Sequence, residues 1–318
     1  MRFSFVFIAL FALTLLEPPF ALGQRRTVAI TVDDLPYADP IVDLPEYTPE
    51  AVNSRLLAAF TNQNIPVTGF VIEKVVEKIG HAAGARILKQ WTTQTFDLGN
   101  HTYSHPDVDR LSIEQIEGEI VRGETTFAPL MNAVGKQPEF FRFPFNHTGD
   151  TKAKHDAMAS FLSQRGYHLA TCTIDTSDYL FNNAYTKMLA KKDSVSAGRL
   201  RRDYLTYTSV EIDYYAGLNR QVLGYESPQV MLLHDSPLNA DTIEDILRIF
   251  EEKGYAFVSL KKAQSDPAYQ IPDTDITSYG PMWGYRWAQE RNVKVNGRLE
   301  TDPPNWVLAY GQQDSPQQ

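Results

Sequence analysis

The chain has 318 residues, 43% of them hydrophobic, and 39 Asp plus Glu outnumber 30 Lys plus Arg to leave a formal charge of −9. That balance excludes nucleic acid and anionic membrane surfaces as partners, since both demand basic patches that displace counterions. The single cysteine, Cys172, excludes an internal disulfide, and its place in the apolar stretch 169–174 reads as a small buried hydrophobe rather than a reactive thiol.

Met1-Arg2 precedes an apolar run from Phe3 to Leu16, followed by the small residues Ala21-Leu22-Gly23. The run is shorter than the roughly 20 residues of a membrane span. Residues 1–23 are therefore expected to be a cleaved secretory leader, with the protein secreted or periplasmic and no stable membrane insertion after cleavage.

Beyond the leader, strand-like and helix-like segments alternate. The β-branched run Thr27 to Val32 predicts a strand; Thr48 as N-cap, Pro49 at the first helical position and the spacing of Val52, Leu56, Leu57 and Phe60 predict a helix. Pro66 to Ile72 reads as the second strand, Ala82 to Trp91 as a helix, Phe96 to Gly99 as the third strand. Ser112 and Gln115 form a capping box for a helix carrying Ile113, Ile116, Ile120 and Phe127. A strand near Phe140 to Phe143, a helix near Thr151 to Gln164 and a strand from Tyr167 to Ile174 follow. Tyr207, Val210, Tyr214 and Leu218 recur at helical spacing and predict packing rather than a sugar-stacking platform. Gln229 to Leu233 is the next strand, Asn239 is expected to cap a helix ending at Gly254, and Ala256 to Leu260 closes the series. Seven strands alternating with helices predict a parallel α/β sheet or barrel in one domain spanning residues 27–263. Residues 264–318, rich in Pro, Asp, Gln and Gly, are expected to wrap the barrel or to be partly disordered.

Three segments that follow or end apolar runs carry chemistry: Thr-Val-Asp-Asp at 31–34, His-Thr-Tyr-Ser-His at 101–105 and Leu-Leu-His-Asp at 232–235. Hydrolytic zinc sites use nitrogen and oxygen ligands and leave a position open for water, a set that Asp34, His101 and His105 can supply. Pro106 disfavours a helix through His105, so a tight turn leaving the third strand is expected. At a strand end both carboxylates of Asp33 and Asp34 can face one mouth, one binding metal and the other taking a proton. His234 can serve as a general acid. Arg142, set among aromatics in Phe-Arg-Phe-Pro-Phe, needs a carboxylate partner if buried, and Asp33 or Asp175 would serve.

Taken in order, Thr-Val-Asp-Asp, His-Thr-Tyr-Ser-His, Arg-Phe-Pro-Phe, Asp-Thr-Ser-Asp-Tyr and Leu-Leu-His resemble the five motifs of the NodB-type polysaccharide deacetylases, over about Thr27 to Leu260. The resemblance implies a distorted (β/α) barrel and removal of acetyl groups from N-acetylated sugars of a polysaccharide such as peptidoglycan, a chitin-like polymer or an exopolysaccharide. It implies a divalent metal, zinc first, on Asp34, His101 and His105, and Asp33 as catalytic base held by Arg142. It further implies the backbone N–H of Phe145 as oxyanion donor, His234 as catalytic acid tuned by Asp178 or else Asp175, and Leu232 lining the pocket for the acetyl methyl. The chain departs from the pattern at Leu35-Pro36, where a glycine is usual, at Tyr179 for tryptophan and at Phe145 for tyrosine. His147, just beyond, either touches substrate or is solvated. The alternatives are an O-acetyl esterase on xylan-like glycans and a non-catalytic glycan-binding protein on the same scaffold.

Overall fold

In a computed structural model the described residues are 26–312 apart from Asp39 and Gln94. The expected leader and residues 313–318 lie outside them. The β-branched run after residue 26 forms β1 (Thr27–Leu35), longer than the expected strand because it continues through the Asp pair. The remaining strands are β2 (Val67–Val71), β3 (Phe96–Asn100), β4 (Phe140–Phe141), β5 (His168–Leu169), β6 (Gln229–His234) and β7 (Ala256–Phe257). All pair in parallel, in the order β5-β4-β3-β2-β1-β6, with β7 against the start of β1. Helices fill the crossovers, and the sheet curls into a distorted (β/α) barrel.

The stretch expected as one strand from Tyr167 to Ile174 is paired only at its ends: β5 pairs with β4, and Ile174 bridges Met231 of β6. It has to leave one edge of the curled sheet and reach the other, so its middle has no ladder partner. Other departures are local. The helix begun by the Ser112–Gln115 capping box stops at Arg122, and Phe127 opens a separate helix, Phe127–Ala133. The cap of helix Pro237–Glu252 is Ser236, not Asn239: the Ser236 side chain accepts the Asn239 N–H, and Pro237 takes the first helical position. In the helix Ser194–Leu223, Tyr207 and Leu218 are buried as expected but Val210 is 46% exposed, because the packed stripe runs through Tyr204, Glu211 and Tyr215 instead.

Alternation decides what the barrel encloses. Along β1, Val28, Ile30 and Val32 belong to the large core formed with the helices, whereas Ala29 packs with Phe70, Phe140, Ala170 and Val230 in a second cluster. Two and four residues beyond Ala29 on that same face stand Thr31 and Asp33; two and four beyond Val230 stand Leu232 and His234. The carboxyl ends of β1 and β6 thus deliver polar side chains into one space, with Asp33 directly opposite His234 in register. The segment after Ala263 packs against this body. Trp287, 1% exposed, sits edge-on to Tyr269, and no helix among the described residues is long and apolar enough to cross a membrane.

Asn53, fully buried, ties the first crossover helix to the strand ends. It accepts the Trp91 indole N–H at 2.8 Å and donates to Pro36 O at 3.0 Å and Asp235 Oδ2 at 2.8 Å. Each of those groups is left without its partner if the amide is removed, so Asn53→Ala is expected to cost about 3 kcal/mol in a urea titration.

Candidate active site

The two carboxylates of β1 face one cavity because the strand is irregular between them. Its register against β2 shifts between Val32 and Leu35, and Asp34 adopts a left-handed conformation at φ 64°. A regular strand would send neighbouring side chains to opposite faces; the bulge turns Asp34 back beside Asp33.

β3 ends at Asn100, and the chain then turns tightly, with Thr102 at φ 73° and His105 at φ 55°. That turn brings His101 Nε2 to 3.6 Å and His105 Nε2 to 3.7 Å from the same oxygen, Asp34 Oδ1. The oxygen is buried and has no hydrogen-bond partner. The Nδ1 of His101 lies 2.8 Å from the carbonyl oxygen of Arg142. A carbonyl can only accept, so Nδ1 carries the proton and Nε2 presents its lone pair toward Asp34. Burial first, and His105 second, hold the His101 pKa down at about 3, so the imidazole is neutral. A buried acceptor oxygen facing two imidazole nitrogens is an arrangement that a cation completes, and the donor set suits a divalent metal of the zinc type.

Arg142 follows β4 and crosses the barrel interior. Its Nη1 donates to Asp33 Oδ1 at 2.6 Å and to Thr31 Oγ1 at 2.8 Å; its other nitrogens reach Ala170 O at 3.3 Å and Thr171 O at 3.4 Å, and its guanidinium lies 4.3 Å over the Phe70 ring. Of the two carboxylates the sequence offered, Asp33 takes the arginine. On the far side His234 Nδ1 sits 2.7 Å from Asp178 Oδ1, and its backbone N–H donates to Oδ2 at 2.8 Å. Asp175 accepts the Ser177 N–H at 2.8 Å instead, and burial followed by Asp178 pushes its pKa up to about 6. Burial opposes charging of His234, but the Asp178 carboxylate, aided by Asp34 and Asp33, outweighs it and raises the pKa to about 10.

Asp33, Asp34, His101, His105 and His234 line a cavity of about 550 Å³ together with Leu232, Phe145 and Tyr179. Phe145 and Tyr179 are 54% and 53% exposed at its walls, the first 4.7 Å from the His105 ring and the second 6.1 Å from the His234 ring. Phe145 is the second residue of a single 3₁₀ turn, Pro144–Asn146, at φ 57°; an N–H at the start of such a turn has no partner within it.

Several residues the sequence did not single out hold this wall. Buried Arg286, from the helix Trp283–Glu290, donates to Asn146 O at 2.7 Å, Thr148 Oγ1 at 3.0 Å and Asp273 Oδ2 at 2.8 Å. Gly280 passes so close that a Cβ there would overlap Phe145 O and lie 2.8 Å from the carbonyl carbon of Asn146. The segment 273–286 shows no strand or helix periodicity up to Met282, so only an arginine set between Trp283 and Trp287 hinted at a buried role.

The family model described as polysaccharide deacetylase matches residues 22–162. Over those residues the chain is similar to the polysaccharide deacetylase family. A chitin deacetylase from Arthroderma benhamiae is 29% identical over 153 residues, 48% of this chain and 35% of that protein. A peptidoglycan-N-acetylglucosamine deacetylase from Bacillus cereus is 23% identical over 243 residues, 74% of this chain and 68% of that protein. The chain thus spans about a third of the length of the Arthroderma relative. Among solved structures, a mutant with restored enzymatic activity of a CE4 family pseudoenzyme from Bacillus anthracis superposes with a TM-score of 0.52 at 15% identity, covering 76% of this chain and 68% of that one; the likeness shows the barrel fold.

Two outcomes follow for this protein. Asp178→Asn removes the charge that lifts His234, and burial then dominates, so the imidazole titration followed by NMR falls from about 10 to below its ordinary value of 6.5. Because the folded value is the raised one, the wild type carries the full stabilisation below pH 6.5 and loses it as pH climbs toward 10; the variant lacks that slope. Gly280→Ala forces the 145–146 backbone aside and is expected to cost about 1–3 kcal/mol in denaturant unfolding.

Proposed function

We propose that this protein is a metal-dependent hydrolase that removes acetyl groups from N-acetylated sugars of a polysaccharide. The observation that carries the reading is that one cavity holds a cation-ready set, Asp34, His101 and His105, between a carboxylate pinned by Arg142 and an imidazole held by Asp178. The pairing suits acyl transfer, which needs a base on one side of the scissile bond and an acid on the other.

A divalent cation on Asp34, His101 and His105, zinc on the strength of the donor set, would supply Lewis acidity for the acetyl carbonyl and make water acidic enough to attack at neutral pH. The chain's own groups do the rest. Arg142, itself held by Thr31, fixes the Asp33 carboxylate, which takes a proton from the attacking water. The backbone N–H of Phe145 donates to the oxyanion that forms as the carbonyl carbon becomes tetrahedral. His234, fixed through Nδ1 by Asp178, presents Nε2 to the amide nitrogen and gives it a proton as the C–N bond breaks. Acetate and a free amino sugar leave. Leu232 lines the space for the methyl group, and Phe145 and Tyr179 offer aromatic faces to the sugar ring.

The names of the chitin and peptidoglycan-N-acetylglucosamine deacetylases support a polymer containing N-acetylglucosamine. The apolar segment Phe3 to Leu16 supports action outside the cytoplasm, where such polymers lie.

Acetate release from N-acetylated and O-acetylated glycans by the zinc-loaded protein tests the reading. Asp33→Asn is expected to lower the rate by about 10³-fold while metal analysis finds the wild-type content, and His101→Ala to lose activity together with the metal held by Asp34, His101 and His105. Release from O-acetylated glycans alone would replace the amide reading with an esterase, and glycan binding without any release would replace it with a binding protein.

A further inference from the structure

Two residues past His105 the chain carries a second group of ligating side chains. Asp107 and Asp109, from the loop after β3, converge on His147 from the loop after β4. The Nδ1 of His147 lies 2.9 Å from Asp107 Oδ1 and 3.3 Å from Asp109 Oδ2. His147 is 15% exposed, and it is not among the residues lining the cavity.

One nitrogen offers at most one hydrogen, and Asp107 stands closer to it. Asp109 is left with a side chain 9% exposed whose two oxygens are both buried and accept no hydrogen bond among the described residues. Nearby cations are engaged elsewhere. Lys154 donates to the main-chain oxygen of Asp109 and pairs with Asp150 Oδ1 at 3.1 Å, and Arg110, 85% exposed, meets the outer oxygen of Asp107 at 3.2 Å. A buried carboxylate without donors is costly unless a proton or a cation joins it. Ligand atoms held about 2.1 Å from one ion lie roughly 3.0–3.4 Å apart; of the two separations around His147 Nδ1, 3.3 Å lies within that spacing and 2.9 Å just below it.

We propose that Asp107, Asp109 and His147 form a second divalent-cation site, distinct from the one on Asp34, His101 and His105. Two carboxylates and one imidazole suit a borderline ion such as zinc, cobalt or manganese. The ion ties the loop after β3 to the loop after β4. The Phe145 ring stands between the two groups, 4.7 Å from His105 and 5.7 Å from His147, so a filled second site holds the cavity wall in place without touching the reacting atoms.

The test is zinc stoichiometry after chelation, reloading and gel filtration of the full chain. Two equivalents are expected for the wild type, one for Asp109→Asn and one for His101→Ala. A second readout keeps the result independent of activity and of the first site: zinc at about a hundredfold excess over Kd raises the Tm of His101→Ala by about 5 °C, and leaves the Asp109→Asn, His101→Ala double variant unmoved. Two equivalents retained by Asp109→Asn, or one in the wild type and none in His101→Ala, overturns the proposal. One equivalent in both the wild type and His101→Ala, with none in Asp109→Asn, supports the second site and overturns the first.

Discussion

The arginine buried inside the barrel is the constraint around which the rest is arranged. Arg142 brings a permanent charge into a space walled by Ala29, Phe70 and Val230, and such a charge is tolerable only with a counter-ion and its donors spent. Asp33 supplies the counter-ion; Thr31, Ala170 and Thr171 accept three more of the guanidinium hydrogens, and the Phe70 ring covers one face. Removing either partner strands the other, a loss of about 3–5 kcal/mol in comparable buried pairs. The same bond that satisfies the arginine immobilises the proposed base, so stability and function draw on one contact. Arg142 also contributes its carbonyl oxygen to His101, which sets the tautomer of the imidazole that faces Asp34.

Local backbone irregularity does what regular elements cannot. Asp34, Thr102, His105 and Phe145 all have left-handed φ values between 55° and 73°. Each such residue costs about 1 kcal/mol or more, and such conformations persist where surroundings over-determine them. Here they turn Asp34 back toward Asp33, curl His105 over His101 and place the Phe145 ring at the cavity wall. The strain sits at the carboxyl ends of β1, β3 and β4, where ligands approach a parallel sheet, and the ladders beneath are regular.

The C-terminal segment closes the arrangement from outside. Arg286 locks Asn146 and Thr148 to Asp273, and Gly280 lets that segment lie directly against Phe145. Residues 273–286 therefore belong to the cavity wall as fully as the barrel loops do, even though the family match ends at residue 162.

Short-range pattern was enough for much of this. The β-branched runs, the Thr48 and Ser112 caps and the strand-end positions of Asp33, His101 and His234 are properties of a few neighbouring residues, and the sequence by itself determined them. It also determined the order of the motifs, and through that the resemblance to the polysaccharide deacetylases. It left open whether Asp33 or Asp175 would meet Arg142, and whether Asp178 or Asp175 would meet His234. Those pairings join residues 109 and 56 positions apart, and barrel closure alone brings them within hydrogen-bonding distance. The break in the run from Tyr167 to Ile174, the placing of Asp107 and Asp109 against His147, and the burial of Arg286 belong to the same class. Periodicity reports which face a side chain occupies; only the packed tertiary structure decides what stands opposite it.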